Sequence, residues 1–290
     1  MVIEATHLGK RSSYPQHYDP SVLVAVPRIL NRKQYLISNE NLPFQGFDVW
    51  HAYEFSFLLK NGVPVTGVLK MVYPCNNEFL VESKSLKLYL NSFNMDSFGD
   101  SVSESISITT STIKTDLENL LKCKVEVTFF NHSTEKVAPE FEEYELLEDL
   151  VDLNSFNCSV YKEAPDLLQN SKQSGEVKWG SHLLRSNCKI TFQPDWGSIF
   201  IQMKGNELPT PESFLSYIVS LRNENHFHEE ICEMVFKRLL DKFNPEELNV
   251  TCQYTRRGGI DINPVRSLTG ENLSKSLIDA DILDSPVFRQ

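Results

Sequence analysis

Polar and hydrophobic positions alternate most sharply on either side of Asn61-Gly62. HAYEFSFLLK (51–60) and PVTGVLKMVYP (64–74) interleave aromatic and branched residues with polar ones, a period of two that predicts half-buried strands. Asn-Gly between them suits the positive φ of a tight hairpin turn. FLVES (79–83) reads as a third strand. From Ser85 the apolar residues Leu86, Leu88, Leu90 and Phe93 lead into a helix. A second helix ends in TDLENLLK (115–122), before a strand KVEVTFF (124–130).

A similar order returns in the second half. WGSHLL (179–184) is followed by a strand pair around CKITF (188–192) and SIFIQMK (198–204). A helix opened by TPESF (210–214), a helix through EEICEMVFKRLLDKF (229–243) and a strand NVTCQYTRR (249–257) complete it. Hairpin, helix, helix, strand thus occurs twice, and SKSLKLYLNSFN (83–94) is faintly echoed by ESFLSYIVSLRN (212–223). Only the first copy keeps its lysines, and only the second half has a cysteine followed by Pro-Asp-Trp-Gly, which reads as a turn. The first fifty residues show little periodicity and read as an extended lead-in across a folded core, with regular structure starting near Trp50. An acidic stretch places the junction of two modules between about Ala138 and Gly175. The expected class is α+β, with antiparallel sheets backed by helices in modules 1–150 and 151–290.

Composition narrows the function. With 290 residues and 41% hydrophobic content, each module can bury its own core. A formal net charge of -11 disfavours a long nucleic-acid groove, yet two or three placed cations suffice for one anionic cofactor. Six cysteines without a C-x-x-C pair, and a start MVIEATHLGKRSSY without an apolar core, imply free thiols in a reducing cytoplasm. No window is long and apolar enough for a membrane span.

Several residues invite chemistry. Cys188, between Asn187 and Lys189, is a nucleophile in a polar setting or a small buried hydrophobe. Asp195 is a functional carboxylate or a turn-former. In HFHEE (226–230), His228 and Cys232 share a helix face. No second histidine completes an H-E-x-x-H helix, so no metal is expected, and acids at a helix start have a plain reading in the dipole. Glu82 is a ligand-binding carboxylate or an edge-strand charge; Lys84 and Lys87 otherwise belong to a solvated helix face. Arg256, Arg257, Gly258 and Gly259 form a plausible phosphate clamp or a hairpin that salt-bridges an acidic surface. No Rossmann G-x-G-x-x-G is present.

ESKSLKLYLNSFN (82–94), SNCKITFQPDWGS (186–198) and NHFHEE (225–230) together resemble the queuosine-pathway nitrile reductases, in their two-module form. The lead-in LGK (8–10) with VPRILNR (26–32) and the tail RRGGIDINPVRS (256–267) extend the likeness over nearly the whole chain. The resemblance implies a tunnelling fold, in which sheets backed by helices join into a barrel that binds purines or pterins at module or subunit boundaries. It implies that 7-cyano-7-deazaguanine is reduced to a primary amine with two NADPH, through a thioimide on Cys188. Asp195 is then the general acid and His228 assists proton transfer. Val81, Glu82, Ser83, His228 and Glu229 would hold the substrate; Ser83, Lys84, Arg257 and Gly258 would hold NADPH. A homodimer without nucleic-acid contact is expected, with the lead-in, Phe227 and Trp196 covering the pocket. Rival functions are a thiol or pterin-ring hydrolase on the same fold, and a purine-binding module without catalysis.

Overall fold

The structure, a computed structural model, describes residues 15–290; the 8–10 segment of the likeness lies outside the described residues. The first half runs β1 (Ala25–Pro27), α1 (Ile29–Arg32), β2 (Gln45–Leu58), β3 (Pro64–Pro74), β4 (Phe79–Val81), α2 (Ser83–Asn91), α3 (Val102–Leu121) and β5 (Glu126–Phe130). A sparse connection holds β6 (Glu145–Leu146) and α4 (Leu147–Leu150). The second half runs β7 (Gly175–Ser181), β8 (Arg185–Cys188), β9 (Pro194–Gly205), α5 (Pro211–Ser220), β10 (Asn225–His226), α6 (His228–Phe243), β11 (Glu247–Tyr254), β12 (Ile260–Ser267) and α7 (Lys275–Ile278).

One 10-stranded sheet has the order β10-β8-β9-β11-β12-β2-β3-β5, with β7 also on β9 and β6 on β7. Its pairs are antiparallel except β8 with β10 and β6 with β7. The mixed α+β class with an antiparallel sheet backed by helices is therefore what the chain adopts. Leu248, Val250, Cys252 and Tyr254 of β11 pack with Ile231, Met234 and Val235 of α6. In the first half Trp50, Leu69 and Met71 pack with Leu86 and Tyr89 of α2 and Ile113 and Leu117 of α3. The helices start where side chains satisfy free N–H groups: Ser101 caps α3 and Thr210 caps α5.

Some sequence expectations are corrected. β2 begins at Gln45, ahead of Trp50. FLV of the third strand pairs with β1 in a small separate sheet. The lead-in is thus partly regular, and it is anchored by buried charge. Arg28 Nη2 meets Asp48 Oδ2 at 2.5 Å, and Arg32 Nη2 meets Glu233 Oε1 at 2.7 Å. Arg266 of β12 bridges the same carboxylates, at 2.8 Å to Asp48 and 2.9 Å to Glu233. Strand β12 was not anticipated, because Asp261, Asn263, Pro264 and Arg266 do not read as a buried strand. Tertiary pairing with β11 and β2 overrides that composition.

The C-terminal segment lies on the other face of the sheet. Leu277 and Ala280 pack there on Val49, Val72 and Val265. His51 supports it, with Nδ1 2.8 Å from Asp261 and Nε2 3.0 Å from Asp284.

Candidate active site

Cys188 is the last residue of β8. Its N–H donates to the Gln193 carbonyl at 2.8 Å and its carbonyl accepts from the Phe192 N–H at 3.0 Å. This closes a turn over 189–193 in which Phe192 takes a φ of 59° and is 68% exposed. The strand expected through CKITF therefore ends at its cysteine. Conversely, the Pro-Asp-Trp-Gly expected as a turn is the opening of β9, with Pro194 opposite Asn187 and Asp195 opposite Ser186. Proline is tolerated as the first residue of a strand, where its missing N–H costs least. Gly197 is required by close packing, since a Cβ there would sit 2.8 Å from the Gln253 carbonyl oxygen.

This exchange of turn and strand sets the geometry. Cys188 and Asp195 both line a narrow cavity with Trp50, Leu80, Val81, Ser83, Lys87, Phe227, His228 and Glu229. Cys188 is 8% exposed. Asp195 Oδ2 lies 3.3 Å from His228 Nε2, and its other oxygen is ion-paired with Arg257. Burial pushes the Asp195 pKa up, but His228 and Arg257 outweigh it and hold the group below the usual carboxylate range. His228 in turn is stacked on Tyr254, ring centroids 3.9 Å apart.

The helix α6 begins at His228, so Glu229 stands in its first turn. Glu229 is 3% exposed and its Oε1 has no hydrogen-bond partner among the described residues. Burial, and then the nearby Asp48 carboxylate, push its pKa up to about 8. Trp50 Nε1 and His228 Nδ1 are also buried without partners. An acceptor and donors left unpaired together are what a polar base would satisfy. Val81 and Ser83 line the cavity, while Glu82 between them does not. Glu82 caps α2, its Oε2 accepting from the Ser85 N–H at 2.7 Å, and its buried Oε1 is unpartnered. The cavity volume is only about 40 Å³.

A wider cleft of about 440 Å³ adjoins it, sharing Lys87, Arg257 and Ile260. Lys84, Asn91, Thr191, Gln193, Gly258 and Gly259 add polar lining and backbone, with one carboxylate, Glu54, and the apolar Ala52, Phe55 and Leu90. Ser83, expected at the cofactor, faces the smaller cavity instead. Burial, then Arg257, lowers the Lys87 pKa to about 8. Gly258 and Gly259 take φ of 58° and 71°, a left-handed conformation that brings backbone to the cleft wall. Three cations with permissive backbone fit the phosphates of a dinucleotide.

Of the residues singled out in sequence, Trp196 does not line the cavity. Its ring lies near the guanidinium groups of Arg185, Arg222 and Arg289 instead. Cys232 and His228 diverge, the thiol directed at the carbonyls of Val250 and Pro264 at 3.5 Å. Among the described residues no group of three or more His, Cys, Asp or Glu could hold a metal, and no helix is long and apolar enough to cross a membrane. All six cysteines are free. Trp50, Tyr254, Thr191 and Gln193 escaped sequence reasoning; only the alternation of β2 hinted at Trp50.

Comparison with known proteins places these features in context. Residues 14–129 match the family described as "Nitrile reductase, 7-cyano-7-deazaguanine-reductase N-term", and residues 194–272 match "QueF-like protein". The chain is 41% identical to the NADPH-dependent 7-cyano-7-deazaguanine reductase of Coxiella burnetii, over 91% of this chain and 92% of that one. Enzymes of the same name from Rickettsia canadensis (42%, covering 92% and 94%) and Chromohalobacter salexigens (38%, covering 93% and 94%) are similar too. A solved archaeosine synthase QueF-Like in the apo form aligns at 19% identity and a TM-score of 0.29, over 33% of this chain and 94% of that one.

Proposed function

This chain belongs to the family of NADPH-dependent 7-cyano-7-deazaguanine reductases, and from that premise we propose that it reduces the nitrile of 7-cyano-7-deazaguanine to the amine of 7-aminomethyl-7-deazaguanine, for queuosine biosynthesis, by way of a thioimide on Cys188. The supporting observation is the meeting of Cys188, Asp195, His228 and Glu229 on one cavity that shares Lys87 and Arg257 with a cationic cleft.

Asp195, whose pKa is held down by His228 and Arg257, takes the proton of the Cys188 thiol. The sulfur adds to the nitrile carbon, one C–N π pair moves to nitrogen, and Asp195 delivers the proton there. The role of acid is thus reached after a role as base, and no outside proton is consumed. Nitrile to amine is a four-electron change, so NADPH, which supplies one hydride each time it is bound, is used twice per turnover. Cys188 leaves after the first reduction, and His228, beside Asp195, relays the protons the nitrogen still needs. Glu229 accepts from the N–H edge of the base, flanked by Val81 and Ser83, and Glu82 joins it through its unpartnered Oε1 once the cavity opens to admit the base. Lys84, Lys87, Arg257 and Gly258 would hold the cofactor phosphates. Phe227 packs with Val26 and Leu80 into a wall that keeps water from the imine.

The same reading makes the protein a cytoplasmic homodimer of two-module chains, 1–150 and 151–290, with a small nitrile rather than nucleic acid as its partner; sedimentation velocity checks the dimer. Intact mass after mixing with 7-cyano-7-deazaguanine alone tests the chemistry. The parent gains the full mass of the nitrile, because addition expels no leaving group, and Cys188→Ala gains nothing. An adduct that maps to another cysteine overturns the assignment. Loss of NADPH absorbance only when nitrile is present separates reduction from hydrolysis or mere binding.

A further inference from the structure

Glu230 follows Glu229 in α6 and is 2% exposed, yet the chemistry above does not use it. Its carboxylate gathers groups from three separate parts of the chain. Lys189, the residue after Cys188, places Nζ 3.1 Å from Oε2 and 3.3 Å from Oε1. His226, the backbone partner of Cys188 in the β8–β10 pairing, places Nδ1 2.9 Å from Oε1. From the lead-in, Gln34 donates its amide and Tyr35 its hydroxyl, the latter at 3.4 Å. Glu230 also reaches back to accept from the Phe227 N–H at 3.4 Å. Burial raises the Glu230 pKa, but His226 and Lys189 outweigh it, so the net shift is downward and the group is a carboxylate.

This arrangement lies where the site is least regular. Past Cys188 the chain leaves its strand for the 189–193 turn, while His228 and Glu229 ride on α6. Backbone pairing of β8 to β10 covers only two residue pairs. The Lys189 side chain also bonds Asn31 Oδ1 of α1 at 2.9 Å and lies over the Phe227 ring, so the turn is held to the lead-in as well as to α6.

We infer that Glu230 is a positioning residue for Cys188, clamping the turn that follows the thiol, through Lys189, to the helix that carries His228 and Glu229. The inference rests on Cys188 being the nucleophile. Reach of the thiol to the nitrile carbon and to Asp195 then depends on a carboxylate that touches neither.

The test is the rate of adduct formation with 7-cyano-7-deazaguanine alone, read by intact mass at saturating nitrile for the parent, Glu230→Gln, Lys189→Met and the double variant. Each single variant is expected to slow the adduct about tenfold or more, and the double variant is expected to be no slower than the worse single one. Glu230→Asp is expected to recover part of the rate. Lys189 is partly exposed, so Lys189→Met keeps the test open if Glu230→Gln fails to fold. An unchanged adduct rate in folded Lys189→Met overturns the inference, as does a Glu230→Gln protein that loses thermal stability but keeps its rate. Additive losses in the double variant also overturn it. A parent that forms no adduct overturns the nucleophile reading itself, which is a separate outcome.

Discussion

The guanidinium of Arg257, on the wall of the wide cleft, is ion-paired with the carboxylate of Asp195 in the narrow cavity. Thr191 and Gln193, from the turn after Cys188, accept hydrogen bonds from the same guanidinium. One side chain thus joins the place proposed for the cofactor to the place proposed for nitrile chemistry.

Substitutions at Lys84 and Arg257 are therefore expected to differ. Lys84→Met should raise the half-saturating NADPH concentration about tenfold or more, the loss of one charge-assisted contact, and leave adduct formation with nitrile alone unchanged. Arg257→Met should do the first and also slow the adduct, because Asp195 loses a partner. Steady-state kinetics with an intact-mass time course separates the two.

Asp195→Asn keeps the shape of the side chain but removes the base. It is expected to bind the nitrile with affinity within a few fold of the parent and to form adduct about a hundredfold or more slowly, in the range of lost general acid–base catalysis. Calorimetry and mass spectrometry together check this, and an undiminished adduct rate would remove Asp195 from the mechanism.

Glu229 carries a pH dependence with a definite sign. Its pKa in the ligand-free protein is raised to about 8 by burial and Asp48, and the base's N–H donors favour the ionised form. Binding therefore releases a proton below that pH, and nitrile affinity should rise with pH up to about 8 and then level. Glu229→Gln should weaken binding by about 1.5–3 kcal/mol at pH 8 and flatten the profile. Calorimetric titration in buffers of different ionisation enthalpy measures the proton directly.

Arg266 has the fold as its task. It is fully buried against Asp48 and Glu233, and Arg266→Met strands both carboxylates beside Arg28 and Arg32 alone. Removing one partner of a buried pair costs about 3–5 kcal/mol, which urea unfolding should show as a lower midpoint. An unchanged midpoint would mean that Arg28 and Arg32 compensate by themselves.

The sequence was most legible where local pattern and final environment agree. The β2–β3 hairpin around Asn61-Gly62, the helices α2, α3, α5 and α6, and the succession of His228 and Glu229 at the start of α6 all follow from short stretches of chain. A strand's period of two and a helix's period of 3.6 depend only on neighbours, and Glu229 follows His228 wherever the helix goes. Motif likeness identified the candidate residues because those residue types sit close together in the chain.

Tertiary structure decided what joins distant segments. Pro194–Gly197 carries turn residues, yet pairing with β8 and β11 on either side makes it strand. β12 reads as polar, yet its Arg266 finds two carboxylates and its backbone finds two strands, so the halves fuse into one sheet. Tyr254 under His228, Arg257 on Asp195 and Lys189 on Glu230 link residues 26 to 62 positions apart. Sequence alone determined which groups were available and the local elements that carry them. Which of them meet, and with what charge, was decided by long-range packing, because burial and the partners found there set hydrogen bonding and ionisation, and neither is written in any single stretch of the chain.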